Sequence, residues 1–221
     1  KEAHPQADVC TDPACCNAWL SEEAARDEWG GDFDGWERRI EEAVAATDGQ
    51  VALYDGQPIM AVFHSSSAGK TARAGDVWSG EVPYLRSVDS PEGEETVPNY
   101  YSAAAFSAAE AKSLLAKAHP ELTLSGGPDR WFGAVERDDS GRVRTVEVCG
   151  TALRGVELRR IFALRSACFT IEASADKVTF RVTGYGHGVG MSQYGANELA
   201  RQGKTWQEIL TWYYADVTVG Q

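Results

Sequence analysis

Basic residues are scarce in this chain: Lys and Arg together number 21 against 33 Asp and Glu, for a formal net charge of −12. A groove for nucleic acid needs clustered Lys and Arg, and none is apparent, so nucleic acid is not an expected partner. Long apolar runs are missing as well. None approaches the roughly 20 residues needed to span a bilayer, so a membrane is expected to be reached only through an anchor outside this sequence. No signal-peptide pattern opens the chain, whose first residue is Lys1, and it reads as a fragment or a processed piece. Internal repeats, low-complexity tracts and a G-x-S-x-G nucleophile turn are also absent.

What is present suits a folded domain. Over 221 residues, 43% hydrophobic and 24% charged content is enough to bury a core while keeping a solvated acidic surface. Residues 18–47 read as mainly helical, with Trp36, Ile40, Val44 and Thr47 on one stripe. "QVALYDGQPIMAVFHSSS" reads as a hairpin turning at Asp55-Gly56, and a long irregular stretch follows from about 65 to 105. Ser107 and Glu110 form a capping box for a helix that Pro120 stops. A second hairpin turns at 138–141, a short helix lies in "LRGVELRRIFALRS", and "CFTIEASADKVTFRVTGYG" supplies a further strand pair. Helices are expected at about 191–202 and 205–214. The pattern predicts an α+β fold of antiparallel hairpins with segregated helices.

Three of the five cysteines crowd into "HPQADVCTDPACC". His4, Cys10, Cys15 and Cys16 are soft or borderline donors within thirteen residues, the ligand types of a closed tetrahedral zinc site. A disulfide from Cys10 to one of the adjacent pair, with a spare thiol, is the other reading. Cys149 and Cys168 lie in apolar strand-like runs and are expected as buried thiols, bridged only if those strands are neighbours.

The densest chemistry lies in "TGYGHGVGMSQYGA", with glycines at 184, 186, 188 and 190 around His187 and ahead of a helix. Glycine-rich turns before helices often cradle phosphate, but a P-loop needs a Lys at its end and a Rossmann turn needs a parallel βαβ unit. No Lys follows until Lys204, and the strands before it read as antiparallel. The glycines are instead expected to give clearance for a bulky ligand, with Ser192, Gln193 and Tyr194 presented at the helix start. His64, in "VFHSSSAGK", lies in a second Ser/Gly-rich loop and is expected to share a cleft with His187. A serine nucleophile at Ser65–Ser67 or Ser192 beside either histidine is the rival reading. Loop aromatics such as Trp78, Tyr84, Tyr100, Tyr101 and Tyr185 offer faces on which sugar rings stack. Tyr84 and Arg86, two apart on an extended segment, point the same way, and Arg86 could hold a sugar-borne carboxylate.

These stretches together resemble the stage II sporulation protein D family of bacterial cell-envelope peptidoglycan lytic transglycosylases. The resemblance runs over nearly the whole chain and is most specific in "HPQADVCTDPACC" and "GYGHGVGMSQYGANELARQGKTWQEILTWYY". It implies a single domain truncated at its N-terminus, with a zinc loop and helical part at 1–47 and an α+β groove-forming part at 48–221. It also implies structural zinc on His4, Cys10, Cys15 and Cys16, with Cys15 standing where the family has histidine. The implied glycan groove is lined by His64, Ser66, Tyr84, Arg86, His187, Ser192, Gln193 and Tyr194, Arg86 replacing the family's lysine. The family's catalytic glutamate is matched by no residue here and is expected upstream of Lys1. The implied partners are peptidoglycan glycan strands and other cell-wall hydrolases, and the implied location is extracytoplasmic. A non-catalytic glycan-binding module or an amidase enhancer is the alternative.

Overall fold

The computed structural model describes residues 5–7, 9–12, 16 and 18–220. It divides the chain into two compact units, 1–50 and 51–221. The first holds helix α1 (Glu22–Trp29), a 3-10 turn and helix α2 (Phe33–Ala46). Ser21 caps α1 through the Ala24 N–H. Phe33 is buried, its ring stacked at 5.9 Å on Trp29 and covered by the Arg26 guanidinium at 3.9 Å. The apolar stripe read along α2 is helical, but Trp36, Ile40 and Val44 are all exposed. The zinc-stapled loop falls partly outside the description: Cys10 and Cys16 are described, His4 and Cys15 are not.

The second unit is α+β. Strand β1 (Val51–Tyr54) turns into β2 (Gln57–Pro58) through Asp55 and Gly56, at φ 49 and 72. Two positive φ values make a type I′ turn, whose twist matches that of the paired strands. Strand β3 (Phe63–His64) then departs from this hairpin. The 65–105 stretch carries little regular structure, with one short helix α3 (Ala74–Val77) before β4 (Tyr101–Ser107). Ser107 and Glu110 close the capping box of α4 (Ala108–Ala118). Strands β5 (Phe132–Arg137), β6 (Val143–Val148) and β7 (Thr151–Arg154) form one antiparallel sheet, and helix α5 (Gly155–Ile161) follows directly. Strands β8 (Phe169–Ala173) and β9 (Lys177–Thr183) join β4 in a second antiparallel sheet, in the order β4-β9-β8. Then come β10 (Met191–Ser192), α6 (Gln193–Arg201), α7 (Trp206–Tyr213) and β11 (Thr218–Gly220), which returns to β1. The exception to the antiparallel pattern is the short β10–β3 pair, which is parallel.

Two hydrophobic clusters result. On β9, burial alternates along the strand, and Val178, Phe180 and Val182 face inward. Phe180 is ringed by Phe106, Phe132, Phe162 and Phe169, with centroids 4.6 to 6.2 Å away. A second cluster gathers Leu85, Val189, Leu199, Tyr213 and Tyr214 around the loops of the 60–90 stretch. Val156 on α5 packs against both. Cys149 and Cys168 are unbridged and half-buried rather than fully buried. Cys149 occupies a turn at φ 49, and Cys168 donates its S–H to the Gly141 carbonyl at 3.4 Å.

Candidate functional site

The glycine loop is laid onto the 62–67 segment. Ser66 and Tyr185 exchange backbone hydrogen bonds at 3.0 and 2.9 Å, and Met191 N–H donates to the Val62 carbonyl at 3.2 Å. A Cβ at Gly184 would stand 2.7 Å from the Ser66 carbonyl oxygen, and one at Gly186 would stand 2.7 Å from His64 Cβ. At Gly190 it would collide with the Val62 carbonyl. All four glycines of the loop also hold positive φ, between 72 and 119. At Gly184, Gly186 and Gly190 the missing side chain permits close approach of two chain segments, and at Gly188 it leaves room for the Arg142 guanidinium.

That approach brings the two histidines together, with ring centroids 5.7 Å apart and tilted planes. One residue pins both rings: His64 Nδ1 lies 3.3 Å from the Val189 carbonyl, while Val189 N–H donates to His187 Nδ1 at 3.1 Å. The carbonyl can only accept, so His64 carries its proton on Nδ1, and His187 Nδ1 must hold a lone pair. Burial pulls the His64 pKa down to about 4, and His187 and Arg142 push it the same way. Burial, with Arg142 and Arg159 nearby, also lowers that of His187. Both imidazoles are neutral near pH 7. His64 Nε2 and Ser66 Oγ are buried without a hydrogen-bond partner among the described residues. Trp78 closes the cluster, its ring 5.4 Å from that of His187.

Beneath the pair lies Glu92, only 4% exposed, which reading the sequence alone missed. Its Oε1 accepts from Ser67 N–H at 2.7 Å, Ser67 Oγ at 2.8 Å and Ser192 Oγ at 2.5 Å. Among the described residues Oε2 makes no hydrogen bond of its own, although the Ser90 hydroxyl, bonded to Tyr213 Oη at 2.6 Å, lies beside it. Burial pushes the Glu92 carboxyl up, but the hydrogen bonds from Ser192 and Ser67 and the adjacent Ser90 hydroxyl outweigh it and hold the group ionised below its ordinary range. Nothing local signals this residue, because "SPEGEE" reads as an acidic loop and the partner Ser192 is 100 positions away.

The remaining residues expected in the groove divide. Ser192 is fully buried, accepts from Gly195 N–H as the cap of α6 and donates to Glu92. No hydroxyl of Ser65–Ser67 or Ser192 is hydrogen bonded to a histidine among the described residues, so the arrangement of an activated serine is not assembled. Tyr194 is half-buried and joined by its N–H to the Ser65 carbonyl at 3.1 Å, and Gln193 is exposed. Tyr84 and Arg86 make their contacts elsewhere. The Tyr84 hydroxyl accepts from Met60 N–H at 2.9 Å, and Arg86 donates to Asp216 at 2.7 Å.

Two cavities border the cluster. One of about 460 Å3 is lined by Trp78, Ser79, Glu81, Arg144 and Arg154. The other, about 430 Å3, is lined by Val156, Arg159, Arg165 and Tyr185. Helix α5 contributes to the second and its N-cap, Arg154, to the first; Trp78 and Tyr185 line one cavity each, whereas the half-buried His187 and the buried His64 line neither.

Relatives resolve the family. Over 98% of its length the chain is 34% identical to stage II sporulation protein D of Bacillus subtilis (strain 168) and covers 61% of that protein. With its counterpart from Bacillus amyloliquefaciens it shares 35% over 92% of its length, covering 57% of that protein. The chain belongs to the stage II sporulation protein D family. It thus spans about three fifths of the length of these curated relatives. The family member also resembles the amidase enhancer of B. subtilis, at 25% identity over 83% of its length and 33% of that protein. No protein-family model matches the chain. Among its described residues no helix is long and apolar enough to cross a membrane.

Two outcomes test this site. Glu92→Gln keeps an acceptor oxygen in the Oε1 place but removes the charge that strengthens its three hydrogen bonds and puts an NH2 donor where Oε2 stands. A hydrogen bond to a charged group contributes about 1.5–3 kcal/mol, so urea unfolding should show a loss of at least ~2 kcal/mol, and a loss below about 0.5 would contradict the network. The second concerns pH. The folded His64 pKa lies below the ordinary 6.5, so the unfolded chain binds the extra proton and stability falls as pH drops from about 6.5 towards 4. At 1.36 kcal/mol per pKa unit, His64 should cost about 2 kcal/mol between pH 7.5 and pH 5. Unfolding midpoints at both pH values should show that loss reduced in His64→Asn, and equal losses in variant and parent would refute it.

Proposed function

We propose that this chain supplies the glycan groove of a cell-envelope enzyme that cleaves peptidoglycan strands without water, leaving 1,6-anhydromuramic ends. The observation that carries the reading is the neutral His64–His187 pair pinned by Val189, with Trp78 against it and a cavity on either side. Neutral imidazole, aromatic faces and helix-start side chains suit hydroxyls and apolar sugar faces better than they suit an ionic reaction centre. The names of the relatives, stage II sporulation protein D and amidase enhancer, support a role at the cell wall. Peptidoglycan strands, and other hydrolases working on them, are the corresponding partners, met in the cell envelope.

The chemistry asks for one carboxylic acid. It protonates the glycosidic oxygen as the bond to the muramic C1 breaks; as carboxylate it then takes the proton of the muramic 6-hydroxyl, whose oxygen bonds to C1 and closes the ring. No water enters, unlike hydrolysis by paired carboxylates. Glu92 is unsuited to this duty: it is buried and held ionised, so it has no proton to give. The acid is the glutamate that the family resemblance places ahead of the His4–Cys16 stretch. His187, with Nδ1 engaged by Val189, orients rather than transfers protons, Gln193 and Tyr194 at the start of α6 supply further polar contacts to glycan, and Tyr84 and Arg86, engaged with Met60 and Asp216, are left to a more distant part of the strand. His64 and Ser66 offer the buried polar atoms behind it, and Ser192 holds the loop through Glu92.

Zinc has a place in this reading as a staple. Three thiols and one imidazole, on Cys10, Cys15, Cys16 and His4, form a donor set that suits a closed four-coordinate site. Such an ion would contribute folding energy to the N-terminal loop and take no part in bond cleavage.

Incubating the full-length natural protein with peptide-free glycan strands should release fragments ending in 1,6-anhydromuramic acid, read by mass spectrometry. Reducing-end products would mean hydrolysis, and binding without any cleavage would leave the amidase-enhancer reading, which the 25% identical relative favours. For the metal, elemental analysis of protein purified without added zinc should find about one zinc per chain, removed in Cys16→Ser. Zinc near zero, with Cys10 disulfide-bonded to a neighbour, would defeat the staple.

A further inference from the structure

The chain carries an excess of 12 negative charges, yet the charged residues lining one of its cavities are all cations. Arg159, Arg160 and Arg165 surround a space of about 430 Å3 whose other walls include Val156, Leu164 and Tyr185. No acidic residue lines it, and none of the three arginines is in an ion pair among the described residues. Elsewhere five exposed arginines, Arg26, Arg73, Arg86, Arg181 and Arg201, each have a carboxylate, whereas Arg38, Arg39, Arg130 and Arg144 have none among the described residues; what distinguishes Arg159, Arg160 and Arg165 is that they line one cavity together.

The arginines are held rather than free. Arg165 lies over the Tyr185 ring, 4.6 Å from its centroid, and its Nε is buried without a hydrogen-bond partner. Its carbonyl accepts from Gly186 N–H at 2.9 Å, which fixes it to the glycine loop one residue before His187. Arg159 donates through Nε to the Leu164 carbonyl at 3.2 Å, leaving its terminal nitrogens uncommitted. Arg142, only 4% exposed, reaches the Gly186 carbonyl from the other side at 3.2 Å. Arg159 and Arg160 also stand in the last turn of α5, where cations favour the helix end by a few tenths of a kcal/mol. That placement accounts for neither the flattening of Arg165 on Tyr185 nor the lack of any carboxylate.

We propose that this pocket binds the carboxylate of an acidic sugar in the glycan, the lactyl group of a muramic unit, with its ring against the exposed face of Tyr185. The inference rests on the glycan-groove reading and adds which sugar stands beside the imidazole pair. Guanidinium forks match a carboxylate in two parallel hydrogen bonds, whereas a neutral sugar leaves three cations uncompensated. Arg86, from which the sequence reading expected this contact, already donates to Asp216.

The test compares three tetrasaccharides by calorimetry at low salt, using the whole chain. One alternates N-acetylglucosamine with N-acetylmuramic acid, the second is the same molecule with its lactyl carboxyls reduced to alcohols, and the third is all N-acetylglucosamine. The acidic form should bind at least tenfold more tightly than its reduced form, a gap that closes at 0.5 M salt. Arg159→Gln and Arg165→Gln should each erase most of the gap while leaving affinity for the reduced form within twofold. The Arg160 side chain makes no hydrogen bond among the described residues, so Arg160→Gln should narrow the gap while shifting the melting temperature by no more than about 2 °C, which separates carboxylate recognition from the small helix-end effect. Equal binding of the acidic and reduced forms would overturn the inference and leave the groove reading standing. Binding of none of the three would remove both.

Discussion

Glu92 sits under the site as an ionised, buried carboxylate, and the serine donors that keep it so come from two segments that otherwise meet in a two-residue parallel pair. Ser67 follows β3 and Ser192 closes β10, so one oxygen fixes both loops to the 90s segment. Removing a charge from water is costly, and three short donors offset that cost only while they stay in place. The carboxylate therefore acts as a clamp on geometry: Ser192 cannot shift without disturbing Glu92, and Gly195 follows because its N–H is bonded to Ser192. Gly195 itself has no room for a side chain, since a Cβ there would run into Tyr213, Ser90 and Glu92.

The imidazole pair inherits that rigidity. With β10 clamped, the residues just before it, Val189 and Gly190, lie against Val62 and His64, and Val189 sets both rings in complementary tautomers. Burial and the nearby Arg142 keep the rings neutral. In a pair fixed this way His64 Nε2 stays buried without a partner among the described residues, and the half-buried His187 ring stands next to Trp78.

Local signals in the sequence gave most of the elements. The Asp55-Gly56 turn, the Ser107–Glu110 box, the hairpin at 138–141 and the alternation along β9 each depend on residues within a few positions of one another. The proximity of His64 and His187 was also within reach, because both stand in Ser/Gly-rich loops of unusual composition. What stayed hidden is long-range. Glu92 is indistinguishable from its acidic neighbours until Ser192 arrives, and nothing in "LRGVELRRIFALRS" marks Arg165 until it lies over Tyr185. The stripe on α2 shows the opposite failure: its periodicity is helical, yet Trp36, Ile40 and Val44 remain exposed. The neighbours of the glycines are likewise distant in the chain: Gly184, Gly186 and Gly190 face the 62–67 segment, and Gly188 faces the Arg142 side chain.

The central claim is that glycan lies along the surface formed by the glycine loop, the 62–67 segment and Trp78. Hydrogen exchange of the whole chain, followed by mass spectrometry with and without peptide-free glycan strands, addresses it directly. Peptides covering 62–81 and 183–195 should gain protection on binding, while those covering β4 and α4 should not change. Protection confined to β4 and α4, with the glycine loop unaffected, would contradict the account.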